Sequence, residues 1–306
     1  MAVKVERRPA GSPPWRRTRD WRPPGKSETR RVGAAYCGLM SEQRPNVDLG
    51  DREVAPRNEI LRAEVGSGVH GMAIAGTDDH DELAVYVEEP GQLLGLVATP
   101  GHWVWRTQPM GARSGHGDID LTAYSLRKFL RLATSGNPTV LLPFFATGRS
   151  LIATTPLGDE LRALAPQVLS ALAGRRFLGY LDGQLERMLG GGRQSRVPSR
   201  PELVERHGYD TKYASHALRL GRQGVELMLT GTLSLPLRSD DLAACLAVKR
   251  GEVDQAEALR LIEASRAELA GILDSGGGVL RPKPDLEGVN DWLVSAHRRH
   301  WADRGL

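Results

Sequence analysis

Regular patterning of apolar and polar positions begins near Asn58, and its period changes midway along the chain. Glu59 to Val65 reads as a short helix followed by a strand-like step into Gly66-Ser67. Leu83 to Val87 is a run of strand formers. A long polar insert follows, containing His102-Trp103-Val104-Trp105-Arg106 and Gly111, Gly115 and Gly117. Ile119 to Tyr124 reads as a further strand. Ser125 to Ser135 then carries Leu126, Phe129, Leu130 and Ala133 on one side and Arg127, Lys128 and Arg131 elsewhere, the period of an amphipathic helix. Gly136-Asn137-Pro138 stops it.

From about Asp159 the period is helical throughout. The segments are Leu161 to Leu172, Phe177 to Leu189, Thr211 to Leu229, Ser239 to Val248, Val253 to Ile272 and Asp291 to Ala302. A Gly- and Arg-rich connection, Gly190 to Pro201, is expected to be mobile, and no internal repeat is visible. The architecture expected is an α/β (α+β) front half and an all-helical back half. Three stretches follow from this: a disordered basic extension at 1–45, a mixed-sheet core at 46–155, and a helical domain at 156–306 that completes the cleft.

Composition sharpens this in two places. Residues 1–31 hold ten Lys or Arg against three acids, whereas the other 275 residues carry 31 basic and 34 acidic side chains and sum to −3. Bulk charge therefore does not mark the body as a nucleic-acid binder, and such a partner would be met by a local patch or by the tail. The tail reads first as a solvated extension and second as an electrostatic lead for RNA or DNA. Met40 stands just ahead of the first patterned segment, as an alternative start would. The first thirty residues lack the apolar stretch of a secretory leader. No run approaches the roughly 20 apolar residues of a membrane span. Cys37 and Cys245 are too far apart to make a cysteine framework or a zinc motif, so a reducing cytoplasm is the expected setting.

The candidate chemistry lies in the front half. Gly66-Ser67-Gly68 is followed by Asp79-His80-Asp81, with eleven residues between Ser67 and Asp79. A Gly-Ser turn opening a helix aims backbone N–H groups at a phosphate, and small residues allow its close approach. Carboxylates at i and i+2 on a strand project from one face. They suit hard, oxygen-liking cations held about 3.5–4 Å apart, as in-line displacement at phosphorus uses them. Asp120, between Ile119 and Leu121, supplies a third carboxylate; Asp118 is its rival.

Taken in order, Gly66, Ser67, Asp79, Asp81 and Asp120 resemble the pattern of the DNA polymerase β superfamily. Two phrases narrow the resemblance: Asp120-Leu121-Thr122-Ala123-Tyr124-Ser125-Leu126-Arg127-Lys128-Phe129-Leu130, closed by Gly136-Asn137-Pro138, and Gly208-Tyr209-Asp210-Thr211-Lys212-Tyr213-Ala214-Ser215-His216-Ala217-Leu218-Arg219. They are similar to a family of nucleotidyltransferases found in bacteria and phages and sometimes encoded with RNA-repair enzymes. The resemblance spans about residues 60 to 260. It departs from that family at His80 and Glu82, where apolar residues are usual, and at Leu141-Leu142-Pro143, where a Glu is usual. It implies a polymerase-β-like fold and two Mg²⁺ or Mn²⁺ ions on Asp79, Asp81 and Asp120. It also implies transfer of a nucleoside monophosphate from an NTP, ATP favoured, to an acceptor hydroxyl on an RNA end or tRNA, with release of pyrophosphate. Two other classes stay open: a transferase modifying protein hydroxyls, and a non-catalytic nucleotide- or RNA-binding module.

The helical half adds a polar stripe. Lys212, His216, Arg219, Gln223 and Glu226 follow at steps of 4, 3, 4 and 3, so they share one helix face beside an apolar one. Few Glu–Lys pairs accompany them, unlike a solvated face. With Gly66 and Ser67, the first three are the nucleotide-binding candidates: Arg219 suits bidentate phosphate contact and Lys212 a point charge. Trp103 and Trp105 are read first as packing residues and second as base-stacking ones, Arg176 and Tyr180 first as packing residues and second as nucleotide contacts, and His297, Arg298, Arg299 and His300 as a solvated C-terminal patch.

Overall fold

The computed structural model describes residues 46–74, 80–97, 99–109, 112, 114–115, 117–193 and 197–306. Asp79, Gly111 and the 1–45 extension with Cys37 and Met40 lie outside them. The front half holds strands β1 (Asn46–Gly50), β2 (Glu59–Val65), β3 (His80–Tyr86), β4 (His102–Pro109), β5 (Ile119–Ser125) and β6 (Leu151–Thr154). Between them lie the short helices α1 (Gly66–Val69) and α2 (Pro90–Leu94), then α3 (Leu126–Thr134) and α4 (Pro138–Phe145). The back half is helical: α5 (Pro156–Ala163), α6 (Ala165–Val168), α7 (Ala171–Met188), α8 (Pro201–His207), α9 (Thr211–Thr230), α10 (Ser239–Arg250), α11 (Gln255–Ser275) and α12 (Leu286–Arg304).

The strands form one mixed sheet in the order β1-β4-β5-β3-β2-β6. Only β3 and β5 run parallel; the other neighbours are antiparallel. Central β3 is buried on both faces, which is why Leu83 to Val87 reads as a continuous apolar run. Its odd positions, Leu83 and Val85, join the main core with the helices. Its even positions, Ala84 and Tyr86, join a second cluster with Ala55, Leu121 and Ala123.

Two expectations fail here for the same reason. Glu59–Val65 is a strand throughout, because pairing with β2's neighbours on both sides overrides the helix propensity of its Glu, Leu, Arg and Ala. The supposed polar insert contains β4, whose Trp103 and Trp105 pack on the second cluster while Val104 and Arg106 face the other way. The Trp residues are thus packing residues, and Trp103 Nε1 donates to Asp48 at 2.7 Å.

Helix ends follow their caps. Ser125 caps α3, and Asn137 caps α4 by accepting from Thr139 N at 3.1 Å and Val140 N at 3.3 Å, with Pro138 at the first helical position. Gly136-Asn137-Pro138 is therefore a stop and a start together. The segment expected as one helix over 161–172 is broken at Leu164, between α5 and α6, and again at Leu169–Ser170, before α7. In the back half α9 is the central element, with α7, α10 and α11 packed around it.

The C-terminal helix corrects another expectation. His297 is 3% exposed, and its Nε2 lies 3.0 Å from Glu88 Oε2. Trp301 Nε1 donates to the Glu88 carbonyl at 2.7 Å, which ties α12 to the end of β3. Arg299 pairs with Glu160 at 2.6 Å but stays exposed, as does Arg298, so the buried residue of the supposed solvated patch is His297. The described residues form one compact unit. Among the described residues no helix is long and apolar enough to cross a membrane.

Candidate active site

Strand register builds the site. On parallel strands, Asp81 stands opposite Asp120; Asp81 also pairs with Val65, and Asp120 with Arg106. Alternation puts Asp81 on the face of Leu83 and Val85, toward the helices. His80 and Glu82 point to the opposite face, where Glu82 pairs with Arg62 at 3.0 Å and lies 3.2 Å from His80 Nε2. The polar departures at 80 and 82 therefore lie across the sheet from Asp81.

Gly66 closes against Asp81. Its φ is +76°, and a Cβ there would lie 2.8 Å from Asp81 Cγ and 2.9 Å from Asp81 Cβ, with Oδ2 nearer still. No side chain fits at 66 while the carboxylate keeps its place. Asp120 is held by three donors: Gln108 Nε2 at 2.6 Å, Ser114 Oγ at 2.7 Å and Arg106 Nε at 3.5 Å. Asp118 instead closes its own loop, accepting from Thr107 Oγ1 and Gly115 N, each at 2.9 Å. Asp120 is thus the carboxylate beside Asp81.

Two cavities meet at this point. One, of about 690 Å³, brings Gly66, Ser67 and Asp81 together with Lys212, His216 and Arg219 of α9, and adds Arg200, Arg206, Lys249 and Arg250. The other, of about 480 Å³, shares Gly66, His70, Asp81, His216 and Arg219, and adds Glu82, Asp120, Arg106 and a set of uncharged residues. Arg127, Lys128 and Arg176 line neither cavity. Lys128 reaches the Pro100 carbonyl at 3.2 Å, and Arg176 donates to the Ser135 carbonyl at 3.3 Å.

The stripe on α9 divides between cavity and interior. Gln223 and Glu226 are buried, 1% and 8% exposed. Arg219 donates to Gln223 Oε1 at 2.9 Å and lies 3.0 Å from His70 Nε2. Glu226 accepts from Ser234 and pairs with Arg238 at 3.1 Å. Burial pulls the Arg219 guanidinium down to about 10, still cationic at neutral pH. His216 and His70 fall well below the ordinary histidine value, first through burial and then through Arg219 and other nearby groups, so both imidazoles are neutral.

Sequence reasoning missed Arg200, Arg206, Lys249 and Arg250, which converge from α8 and α10 and the turns beside them. No local spacing announces them. It also missed Arg106 and Gln108, although the Trp103/Trp105 alternation carried the signal for the strand that bears them. Among the described residues no group of three His, Cys, Asp or Glu side chains is placed to hold a metal. The donor chemistry nevertheless fits a hard divalent cation. Asp81 and Asp120 offer adjacent carboxylates, and the donors on Asp120 leave part of its roughly four lone-pair sites available.

Residues 48–271 match the family model described as "RNA repair pathway DNA polymerase beta family", well over half of the chain, and the protein belongs to that family. The family is one of polymerase-β-like nucleotidyltransferases, and the mixed sheet with its helical half agrees with that class. Among solved structures, one similar to this chain is a nucleotidyltransferase-like protein from Exiguobacterium sibiricum 255-15. It is 11% identical, with a TM-score of 0.26, over 71% of this chain and 69% of that one. No curated protein matches the chain.

Proposed function

We propose that the protein transfers a nucleoside monophosphate from an NTP, ATP favoured, to an acceptor hydroxyl at an RNA end. The observation that carries this reading is the pairing of Asp81 with Asp120 beside Gly66, at the junction of a cation-rich cavity and a second, mixed one.

The triphosphate lies in the cationic chamber, against Gly66 and Ser67, with Lys212, His216 and Arg219 as its partners on α9. Arg219 is pre-oriented by His70 and Gln223, and neutral His216 donates or accepts a hydrogen bond without adding charge. The acceptor oxygen forms a bond to the α-phosphorus as the bond to the bridging oxygen breaks, and pyrophosphate leaves. Asp120, steadied by Gln108, Ser114 and Arg106, takes part in accepting the hydroxyl proton. Asp79, Asp81 and Asp120 would hold two Mg²⁺ or Mn²⁺ ions, which supply charge neutralisation at phosphorus and acidify the acceptor hydroxyl. The helical stretch 156–306 completes the cleft over the sheet-bearing stretch 46–155. Most of the rate gain comes from positioning and electrostatics.

The test is incubation with each α-labelled NTP, Mg²⁺ or Mn²⁺ and a crude extract, beside Asp81→Asn and the Asp79→Ala/Asp81→Ala double variant. Label entering RNA with the wild type alone is the expected result. Label in polypeptide would redirect the acceptor to protein hydroxyls. Full transfer by Asp81→Asn would overturn the site itself.

A further inference from the structure

We infer that the outward face of α3, together with Arg176 and Tyr180 of α7, is the surface on which a single-stranded acceptor RNA lies as its end enters the second cavity. What happens to that end rests on the transferase reading; the surface itself stands on charge and exposure.

The body of the protein carries an excess of acid, but the acids are unevenly spread. Between residues 121 and 181 only Asp159 and Glu160 are acidic, against seven Lys or Arg. Both are engaged elsewhere: Asp159 accepts from Thr154 Oγ1 at 2.9 Å, and Glu160 pairs with Arg299 at 2.6 Å. That leaves α3 and the first turns of α7 without a carboxylate of their own.

Because α3 buries Leu126, Phe129, Leu130 and Ala133, it turns Lys128 and Arg131 outward. Lys128 Nζ sits 5.4 Å over the Tyr124 ring and 3.2 Å from the Pro100 carbonyl, both neutral partners. Burial and the neighbouring charge of Arg131 hold its ammonium below the ordinary value, with Asp51 a weaker opposing influence. The Asp51 carboxylate is itself engaged by the Tyr86 hydroxyl. Arg131 is exposed. One turn beyond it, the Ser135 carbonyl accepts from Arg176 of α7 at 3.3 Å. Three cations thus share one edge of the molecule with neutral groups as their contacts, an arrangement that a phosphate backbone relieves.

The same edge carries aromatic rings where it meets the cavity. Tyr124 and Tyr180 both line the second cavity, as does Asp120. Tyr180 stands one turn along α7 from Arg176 and is 41% exposed, and its hydroxyl accepts from Asn137 Nδ2 at 3.3 Å. An exposed ring held in place beside cations is a platform for unpaired bases of any sequence. An acidic polypeptide would meet the cations and leave the ring unused. At about 480 Å³ the cavity has the size of a small-molecule site, so it admits the last residue of a strand and excludes the end of a duplex. The cationic chamber is lined by neither tyrosine nor Asp120, so strand and triphosphate take different cavities.

Fluorescence anisotropy of the full chain with a labelled single-stranded RNA of about ten nucleotides, without NTP, tests this. Arg131→Ala/Arg176→Ala should weaken binding about tenfold or more. It should also flatten the slope of log affinity against log salt by about 1.4, the share of two phosphates on a single strand. Tyr180→Leu should weaken binding about fivefold or more, and Tyr180→Phe should stay near wild type. Arg260→Ala, which removes an exposed cation from α11, should bind as wild type does. Affinity for inorganic tripolyphosphate, which reads the cationic chamber, should hold in every variant and reports an intact fold.

RNA affinity unchanged in Arg131→Ala/Arg176→Ala, an equal loss in Arg260→Ala, or tighter binding of the duplex form would overturn the inference. So would failure to bind RNA, or polyglutamate held through the same arginines in its place. RNA held on this face without label transfer would leave the surface standing while the transferase reading fell. Label entering RNA at the wild-type rate from the two-arginine variant would do the reverse.

Discussion

Replacing Gly66 by alanine separates the site from the fold. At φ +76° an L-residue costs roughly 1–2 kcal/mol, because its Cβ crowds the following carbonyl. The new methyl also meets Asp81, whose Cγ and Cβ would lie 2.8 and 2.9 Å away. The obstacle is the end of a side chain, so the carboxylate swings aside and the backbone holds. The melting temperature should fall by roughly 2–8 °C, the range a domain of this size shows for that cost. Activity should suffer far more, since a catalytic group misplaced by about 1 Å loses on the order of 100-fold in rate.

Gly136 is the control. Its φ is +80°, but a Cβ there would lie 2.5 Å from Ala173 Cα and 2.7 Å from Ala173 N. Backbone of α7 cannot rotate away, so Gly136→Ala should cost more stability than Gly66→Ala. Its label-transfer rate per folded molecule should change little. Both variants are measured by thermal denaturation and by initial rates of label transfer. If Gly66→Ala kept its rate within about threefold of wild type, the close seating of Asp81 on Gly66 would have no catalytic meaning.

Other outcomes follow from the same geometry. Lys212→Ala should raise the KM for NTP or lower kcat by about tenfold, as loss of a charged phosphate contact does; unchanged steady-state kinetics would return Lys212 to the solvated surface. Burial alone would raise the Glu88 carboxyl, but hydrogen bonds from His297 and Ser125 outweigh it and hold it below its ordinary value. The stability it contributes is therefore complete above the ordinary carboxylate value of about 4.3 and is lost as pH falls through the lower folded value. Melting curves from about pH 6 down to pH 3 should fall more steeply for wild type than for Glu88→Gln. His297→Ala, which removes one donor from a carboxylate that is 4% exposed and leaves it the one from Ser125, should cost about 1–3 kcal/mol near neutral pH; an unchanged midpoint would refute the latch between α12 and β3.

The parts of this fold that were legible are those in which local pattern and tertiary role agree. The alternation in 119–124 and the helical period in 126–134, 211–229 and 239–248 each serve one buried face, so the strand or helix can be read from one segment. Glu59–Val65 was misread because its polar residues answer partners on another strand: Arg62 meets Glu82, twenty positions away, at 3.0 Å. His297 was misread because its partner, Glu88, is 209 positions distant. The site divides the same way. Gly66, Ser67, Asp81, Asp120, Lys212, His216 and Arg219 stand out by local spacing, and all seven line the two joined cavities. Arg200, Arg206, Lys249 and Arg250 have no such spacing and meet only through the packing of α8 and α10 around α9. Asp79 lies outside the described residues.

Charge in this molecule has to be judged locally. Residues 32–306 sum to −3, yet Arg200, Arg206, Lys212, Arg219, Lys249 and Arg250 line one cavity. Such crowding is repulsive, and the surroundings of α9 show how it is accommodated: the buried imidazoles of His216 and His70 give up their protons, while Arg219 keeps its charge by leaning on neutral acceptors, Gln223 and His70. The result is a positive chamber with fixed geometry beside a pair of carboxylates. A polyanion entering it gains neutralised phosphate charge without needing a basic protein surface. In the transferase reading, recognition of the triphosphate is therefore a property of this chamber, and added salt should weaken its binding only in proportion to the few contacts made there.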